Sequence, residues 1–162
     1  MTAPDAIDEA AGLTPADPLF AARRLRPEFV DGAEACRASV LTPRDGLGLS
    51  RGLRAALGRR MAELNGDKPL MQQYDQALAA SDATADESRL AQGDRDLPEP
   101  LAAIARHADL ITCDPTRATG DDIARLAAAG LDNPRIVALS ELIAFVNFQT
   151  RVAAGLRLMR RP

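Results

Sequence analysis

The sequence predicts an all-α fold, a compact multi-helix bundle, and three observations carry that prediction. Alanine and leucine dominate the apolar residues, and β-branched residues are few. Aromatic residues make up only 3%, with one tyrosine and no tryptophan. Apolar residues recur three and four apart between Pro, Gly and Asp punctuation, the period of a helix with one buried face. A chain of 162 residues accommodates one such core, and two would be cramped.

Residues 1 to 16 mix Pro, Asp, Thr and Ala without periodicity and read as a mobile arm that carries little of the fold. The helical domain is expected over 17–162. Leu19, Phe20 and Leu25 mark a short first helix, and Pro27 at a first helical position opens a second through Phe29, Val30, Ala33 and Val40. The run "TPRDGLGLS" breaks it. Ser50 is a good N-cap for the next helix, in which Leu53, Leu57, Met61 and Leu64 form the apolar stripe, with Arg51, Arg54, Arg59 and Arg60 on the wetter side. Gly58 inside that helix costs up to about 1 kcal/mol relative to alanine, which points to a close approach by another backbone. Asn65-Gly66 ends this helix and Asp67 starts another, with Leu70, Met71, Tyr74 and Leu78 on its apolar face.

The charged stretch "SDATADESRLAQGDRDLPEP" reads as a flexible loop or a short solvated helix. Leu101, Ile104, Ala105 and Ala108 mark a helix that ends near "TCDPTRATG". Thr119 and Asp122 approximate a capping box for a short helix closed by Gly130. Asn133 and Pro134 form an N-cap and N1 pair opening the longest helix, whose apolar surface is wider than one stripe. Such a helix is expected at the centre of the molecule or at a subunit interface.

The net charge of −3 is spread in both signs, so no basic stripe offers nucleic acid a surface. No uninterrupted apolar stretch reaches the ~18–20 residues of a membrane span, and the acidic N-terminus has no apolar signal core. These features predict a cytoplasmic protein with no nucleic-acid or membrane partner. Cys36 and Cys113 stand apart from any CxxC or Cys/His cluster, so two buried, reduced thiols are expected, with no metal and no cofactor. His107, the only histidine, reads as a surface residue near the end of its helix.

Two segments carry a family resemblance. Arg54 followed by the Asn65-Gly66 turn matches the first, and the stretch "LIAFVNFQTRVAAGL", with Asn147 and Arg151 in register and Thr150 in place of a second asparagine, matches the second. On these the chain resembles the alkylhydroperoxidase D-like, or carboxymuconolactone decarboxylase, superfamily, in particular its small peroxidase-related branch, over most of residues 20–158. In that family an Arg-Glu pair precedes an Asn-Gly turn, a CxxC motif and a histidine. The resemblance implies a homo-oligomer of AhpD-like helical fold.

The departures from the pattern bear on chemistry. Thiol-based peroxide reduction needs a thiolate at a helix start, a resolving thiol one turn on, and Glu and His to relay protons. In register, the glutamate position is Ala55, the two cysteines are Asp67 and Leu70, and the histidine is Tyr74. A carboxylate can cap the helix but cannot reduce a peroxide. The implied protein lacks the thiol redox centre and is a homo-oligomeric small-molecule-binding or scaffold protein. A cofactor-free decarboxylase or lyase, or a residual peroxidase-related oxidoreductase, is the alternative.

Two candidate sites follow. Asp67 and Tyr74 could do general acid and base work across an apolar patch at Leu70, or could be an N-cap and a core residue. Ser140, Asn147 and Arg151 form a polar line on the long helix. They could bind a small organic acid or anion, with Arg151 holding its carboxylate, or could be a satisfied interhelical network.

Overall fold

The computed structural model describes residues 3–160. Met1 and Thr2, at the start of the expected arm, and Arg161 and Pro162, at the end of the expected helical domain, lie outside the described residues.

Helix starts follow local chemistry. A helix leaves its first N–H groups without partners, and short oxygen-bearing side chains take them up. The Asp5 carboxylate accepts from Asp8 N to start α1 (Ala6–Ala11), and Asp17 accepts from Leu19 N to start α2 (Pro18–Arg23). Pro27 opens α3 (Pro27–Leu41), and the Ser50 hydroxyl accepts from Leu53 N at the start of α4 (Arg51–Leu64). Asp67 accepts from Leu70 N to start α5 (Lys68–Ala79). Thr84 and Glu87 form a reciprocal capping box on α6 (Ala85–Ala91). After α7 (Leu101–Cys113) and a 3-10 turn (Pro115–Arg117), the Thr119/Asp122 box opens α8 (Gly120–Ala128). The last helix, α9 (Asn133–Met159), is capped by Asp132, not Asn133. The Asp132 carboxylate reaches Arg135 N at 3.0 Å, which moves Asn133 and Pro134 into the first turn. Among the described residues the fold is all-α: nine α-helices and no strand.

α4 and α9 form the middle of the bundle. α4 packs against α3, α5, α6, α7 and α9, and α9 also receives α1, α3, α7 and α8. Leu57, Met61, Leu70, Leu90, Leu139, Leu142, Ile143 and Val146 make the sealed centre. α9 is long and apolar enough to cross a bilayer by length and hydropathy, but 61% of its most apolar window is buried inside the bundle, as in a core helix.

Several expectations are corrected. Residues 6–13 are not an arm outside the fold: Ile7, Ala10, Ala11 and Leu13 are buried against the bundle. The cause is a charge clasp invisible to periodicity. Asp8, fully buried, is ion-paired with Arg23 and with Arg24 (2.6 Å), while Asp5 takes a second contact from Arg23 at 2.9 Å. Burial opposes the Asp8 charge, but the Arg24, Arg23 and Asp5 backbone hydrogen bonds outweigh it and hold its carboxyl below the usual range. Leu25, expected in the first helix, follows it and is exposed.

α4 has no wetter side at Arg54 or Arg60, both nearly sealed. Arg54 donates to the carbonyls of Val40 (2.6 Å), Gly46 (2.8 Å) and Leu49 (3.2 Å), tying the end of α3 and the loop after it to α4. Arg60 holds Asp109 of α7 with two hydrogen bonds, at 2.6 and 2.8 Å. Long side chains with five donors can be buried where carbonyls and carboxylates converge. The stretch before α7 contains a short helix followed by a loop over 92–100, but the helix is not solvated: α6 buries Leu90 and Ala91 against α4.

Candidate functional site

The junction at residues 62–70 positions the first candidate group. Gly66, with φ +68°, takes the left-handed turn after α4, and a Cβ there would meet nothing within 4 Å, so its backbone conformation is what calls for glycine. Asp67 follows, 2% exposed. Its carboxylate accepts from Leu70 N at 3.2 Å and from Arg157 of α9 at 2.6 and 3.2 Å, while Arg157 also donates to the Ala10 carbonyl at 2.9 Å. The acid is therefore a helix cap and the inner half of an ion pair joining α5, α9 and α1.

Tyr74, two turns further along α5, is 3% exposed. Its hydroxyl donates to Gln149 Oε1 of α9 at 2.8 Å. Burial pushes the phenol far above its ordinary value, so it stays protonated. Its ring fills the space that Gly58 leaves on α4: a Cβ there would overlap the ring and lie 2.8 Å from Tyr74 Cζ. The close approach expected at Gly58 is thus real, but it is made by a side-chain ring and not by backbone. A second glycine of α4, Gly52, does meet backbone, with the Ala83 Cα at 2.7 Å from a Cβ built there.

Asp67, Leu70 and Tyr74 lie together on the buried face of α5, as their spacing implies, but the five main surface pockets are lined by none of them. A general acid must reach the proton acceptor of a bound molecule. In this arrangement the Tyr74 phenol is sealed and already donates to Gln149, and the Asp67 carboxylate is engaged as helix cap and ion-pair partner.

The polar line on α9 is not one site. Asn147 is buried and bridges three elements: its Nδ2 donates to Thr112 Oγ1 of α7 (3.2 Å) and to the Ile143 carbonyl (3.0 Å), and its Oδ1 accepts from Asn65 Nδ2 at 3.1 Å. The α4–α5 junction and α9 thus meet through two asparagines. Thr150 is also buried and donates to the Val146 carbonyl at 2.8 Å. Ser140 and Arg151 face the outside instead. Ser140 donates to the Ile136 carbonyl at 2.8 Å. Among the described residues Arg151 has no ion pair, and the arginine beside the buried acid is Arg157. The expected anion pocket of Arg151 and Asn147 is not formed: the two leave α9 one turn apart on the same side, but Asn147 is sealed under α7 and the α4–α5 junction with its amide engaged, while Arg151 is exposed.

Sequence reasoning missed two surface sites. The first is a groove between α3 and α9 of about 670 Å³, lined by Phe29, Cys36, Val40, Phe145, Phe148 and Glu141 among others. Phe145 and Phe148 are tilted rings with centroids 6.2 Å apart, and Phe29 stands 58% exposed opposite them. Among the described residues the carboxylates lining it are Glu141 and Glu28, the latter ion-paired with Arg26 at 3.1 Å. Cys36 and Cys113 are both exposed, not buried, and Cys36 borders this groove. Phe148 seven residues after Glu141, with Ala144 between, was the available signal, hidden within the apolar background of α9.

The second is a depression of about 440 Å³ where α7, α8 and α9 meet, lined by His107, Ile123, Ile143 and Ser140. His107 is not a surface residue at a helix end. It sits mid-helix, 7% exposed, and its Nδ1 is sealed without a hydrogen-bond partner among the described residues. Burial lowers its pKa, partly opposed by Asp122, so the ring is neutral near pH 7. Among the described residues no cluster of three or more His, Cys, Asp or Glu side chains could hold a metal. No protein-family model matches the chain, and no curated protein matches it.

Proposed function

We propose that this protein is a non-redox binding or scaffold protein of the alkylhydroperoxidase D-like type. In this reading the helix start that carries the thiolate in the redox members serves only to hold the bundle together, and a homo-oligomer of the chain takes up small apolar molecules in the α3/α9 groove. The observation that carries the reading is the state of Asp67: sealed, capping α5 and paired with Arg157. A carboxylate so engaged has neither a free edge for a substrate nor redox chemistry.

The groove argues for the ligand class. Three phenylalanines supply an apolar wall, and with Glu28 paired to Arg26 the lining offers no free cation for a carboxylate, so the organic acid expected at Arg151 gives way to a neutral apolar molecule. The decarboxylase alternative needs an accessible acid or base, which the sealed Tyr74 does not provide. The peroxidase alternative rests on Cys36 alone, since it has no partner thiol on α3.

The test uses Cys36 as a reporter. A panel of apolar probes should slow the reaction of Cys36 with an aromatic disulfide reagent in a Cys113→Ser background, and Phe148→Arg should abolish the protection. Dithiol-dependent hydroperoxide consumption should stay at background throughout. Turnover that disappears on Cys36→Ala would overturn the reading in favour of thiol catalysis.

A further inference from the structure

We infer that the outward face of α9 is a self-docking surface on which a second copy of this chain lies antiparallel, in the register that sets Glu141 against the partner's Arg151. This deepens the proposed function, resting on its homo-oligomer and naming the interface.

α9 is buried on most of its circumference, yet Val137, Ser140, Glu141, Ala144, Phe148 and Arg151 are exposed. At 100° per residue these six fall within an arc about 100° wide, one continuous face. It is more apolar than a solvated face should be: Val137 is 56% and Phe148 43% exposed, and Phe29 of α3 continues the patch across the groove. Neither charged residue on it has an ion-pair partner among the described residues.

The order of groups along the face selects the occupant. Glu141 and Arg151 are ten residues apart, so about 15 Å along the axis. A two-fold crossing the exposed face at the height of Val146, whose own side chain points the other way into the core, brings each glutamate against the partner's arginine, and the same operation places Ala144 against the partner's Phe148. A methyl opposite a ring is the small-against-large fit that lets helix axes approach to about 8–10 Å. Two ion pairs then bracket two ring-to-methyl contacts, and the surface complements itself, as an isologous interface requires. A parallel pair would instead stack glutamate on glutamate and arginine on arginine. Shifting the two-fold by half a turn would leave both charges opposite apolar or amide side chains. Charge thus excludes the other arrangements. In the antiparallel one, the partner's Arg151 stands at the lip of the α3/α9 groove beside Glu141, so the second copy completes the groove's wall.

Sedimentation equilibrium of the full chain tests this, with circular dichroism confirming that each variant keeps its helix content. The wild type is expected to dimerise in the micromolar range. Glu141→Arg and Arg151→Glu should each weaken dimerisation by at least about tenfold, since each reversal puts like charges together at two symmetric positions. The double reversal should restore it. Phe148→Ala should weaken the dimer without affecting the charge rescue. A monomeric wild type, or single reversals without effect, or a double variant no better than the singles would overturn the interface. The non-redox reading is tested separately, by dithiol-dependent hydroperoxide consumption, and stands or falls independently of the interface.

Discussion

The Gly58–Tyr74 contact offers a test of whether Tyr74 is a packing residue or a reserve of chemistry. Gly58→Ala changes one methyl. Alanine in a helix interior is favoured over glycine by about 1 kcal/mol, so on local grounds the variant should be more stable. The tertiary contact opposes this, because the new Cβ would overlap Tyr74 Cδ1 and Cε1 and crowd Cζ at 2.8 Å. The ring cannot swing aside: it is 3% exposed and its hydroxyl is held by Gln149. Overpacking a tight core costs about 1–3 kcal/mol, and overlap with several atoms of a fixed ring belongs in the upper half of that range. The net expectation is a loss of about 1–2 kcal/mol, a fall in Tm of about 2–8 °C for a chain of this size. Thermal unfolding followed by far-UV circular dichroism measures it. In a Tyr74→Leu background the ring is gone, and the same substitution should be neutral or stabilising by up to about 1 kcal/mol. A higher Tm for Gly58→Ala in the wild type, or an equal loss in both backgrounds, would refute the packing argument.

Asp67→Asn should retain the cap on α5 and lose only the charge, whereas Asp67→Ala loses both. The alanine variant should therefore be less stable by a further ~1 kcal/mol in urea unfolding. Tyr74→Phe removes one buried hydrogen bond and leaves Gln149 Oε1 short of a donor, for a loss of about 1–2 kcal/mol in the same assay. The pH dependence of Tm should show two separate acid losses. His107 has a folded pKa below its ordinary 6.5, so the unfolded chain binds its proton first, and stability falls as pH drops below 6.5. The groups that line a second notch with the ring, Arg106, Asp122 and Arg125, remain in place in His107→Leu, which should flatten that part of the curve. Asp8 is held below its ordinary 3.8, so its contribution is complete above 3.8 and is lost as pH falls further, through its folded value. Asp8→Asn should remove the second loss and leave the first. Both cysteines should react with a thiol reagent in the folded protein, and a native thiol titre below two per chain would contradict their exposure.

How far the sequence was legible depends on the range of the interaction. The starts of the helices at Ser50, Asp67 and Thr119 are set by oxygens within three residues of the N–H groups they satisfy, so they can be read locally. The apolar stripe of α4 was likewise readable, but its arginines were not. Arg54 and Arg60 are polar by composition and buried by partners 14 and 49 residues away, the Val40 carbonyl and the Asp109 carboxylate. His107 was misplaced for the converse reason, since nothing near it in the chain shows that α8 and α9 close over it.

What the sequence alone determined is the helical class, most helix boundaries, and the absence of a CxxC at the junction after Gly66. Each follows from the identity of a residue or from contacts within one turn. Only the tertiary structure decided what the junction after Gly66 does. Asp67 could have faced a pocket or a partner, and a residue 90 positions away, Arg157, settles the matter by pairing with it in the core. The same holds for Tyr74, whose phenol meets Gln149 across 75 positions, and for Asp8, whose two arginines draw an aperiodic N-terminus into the bundle. A buried polar group takes its character from the partner that compensates its lost water, and that partner is chosen by the fold.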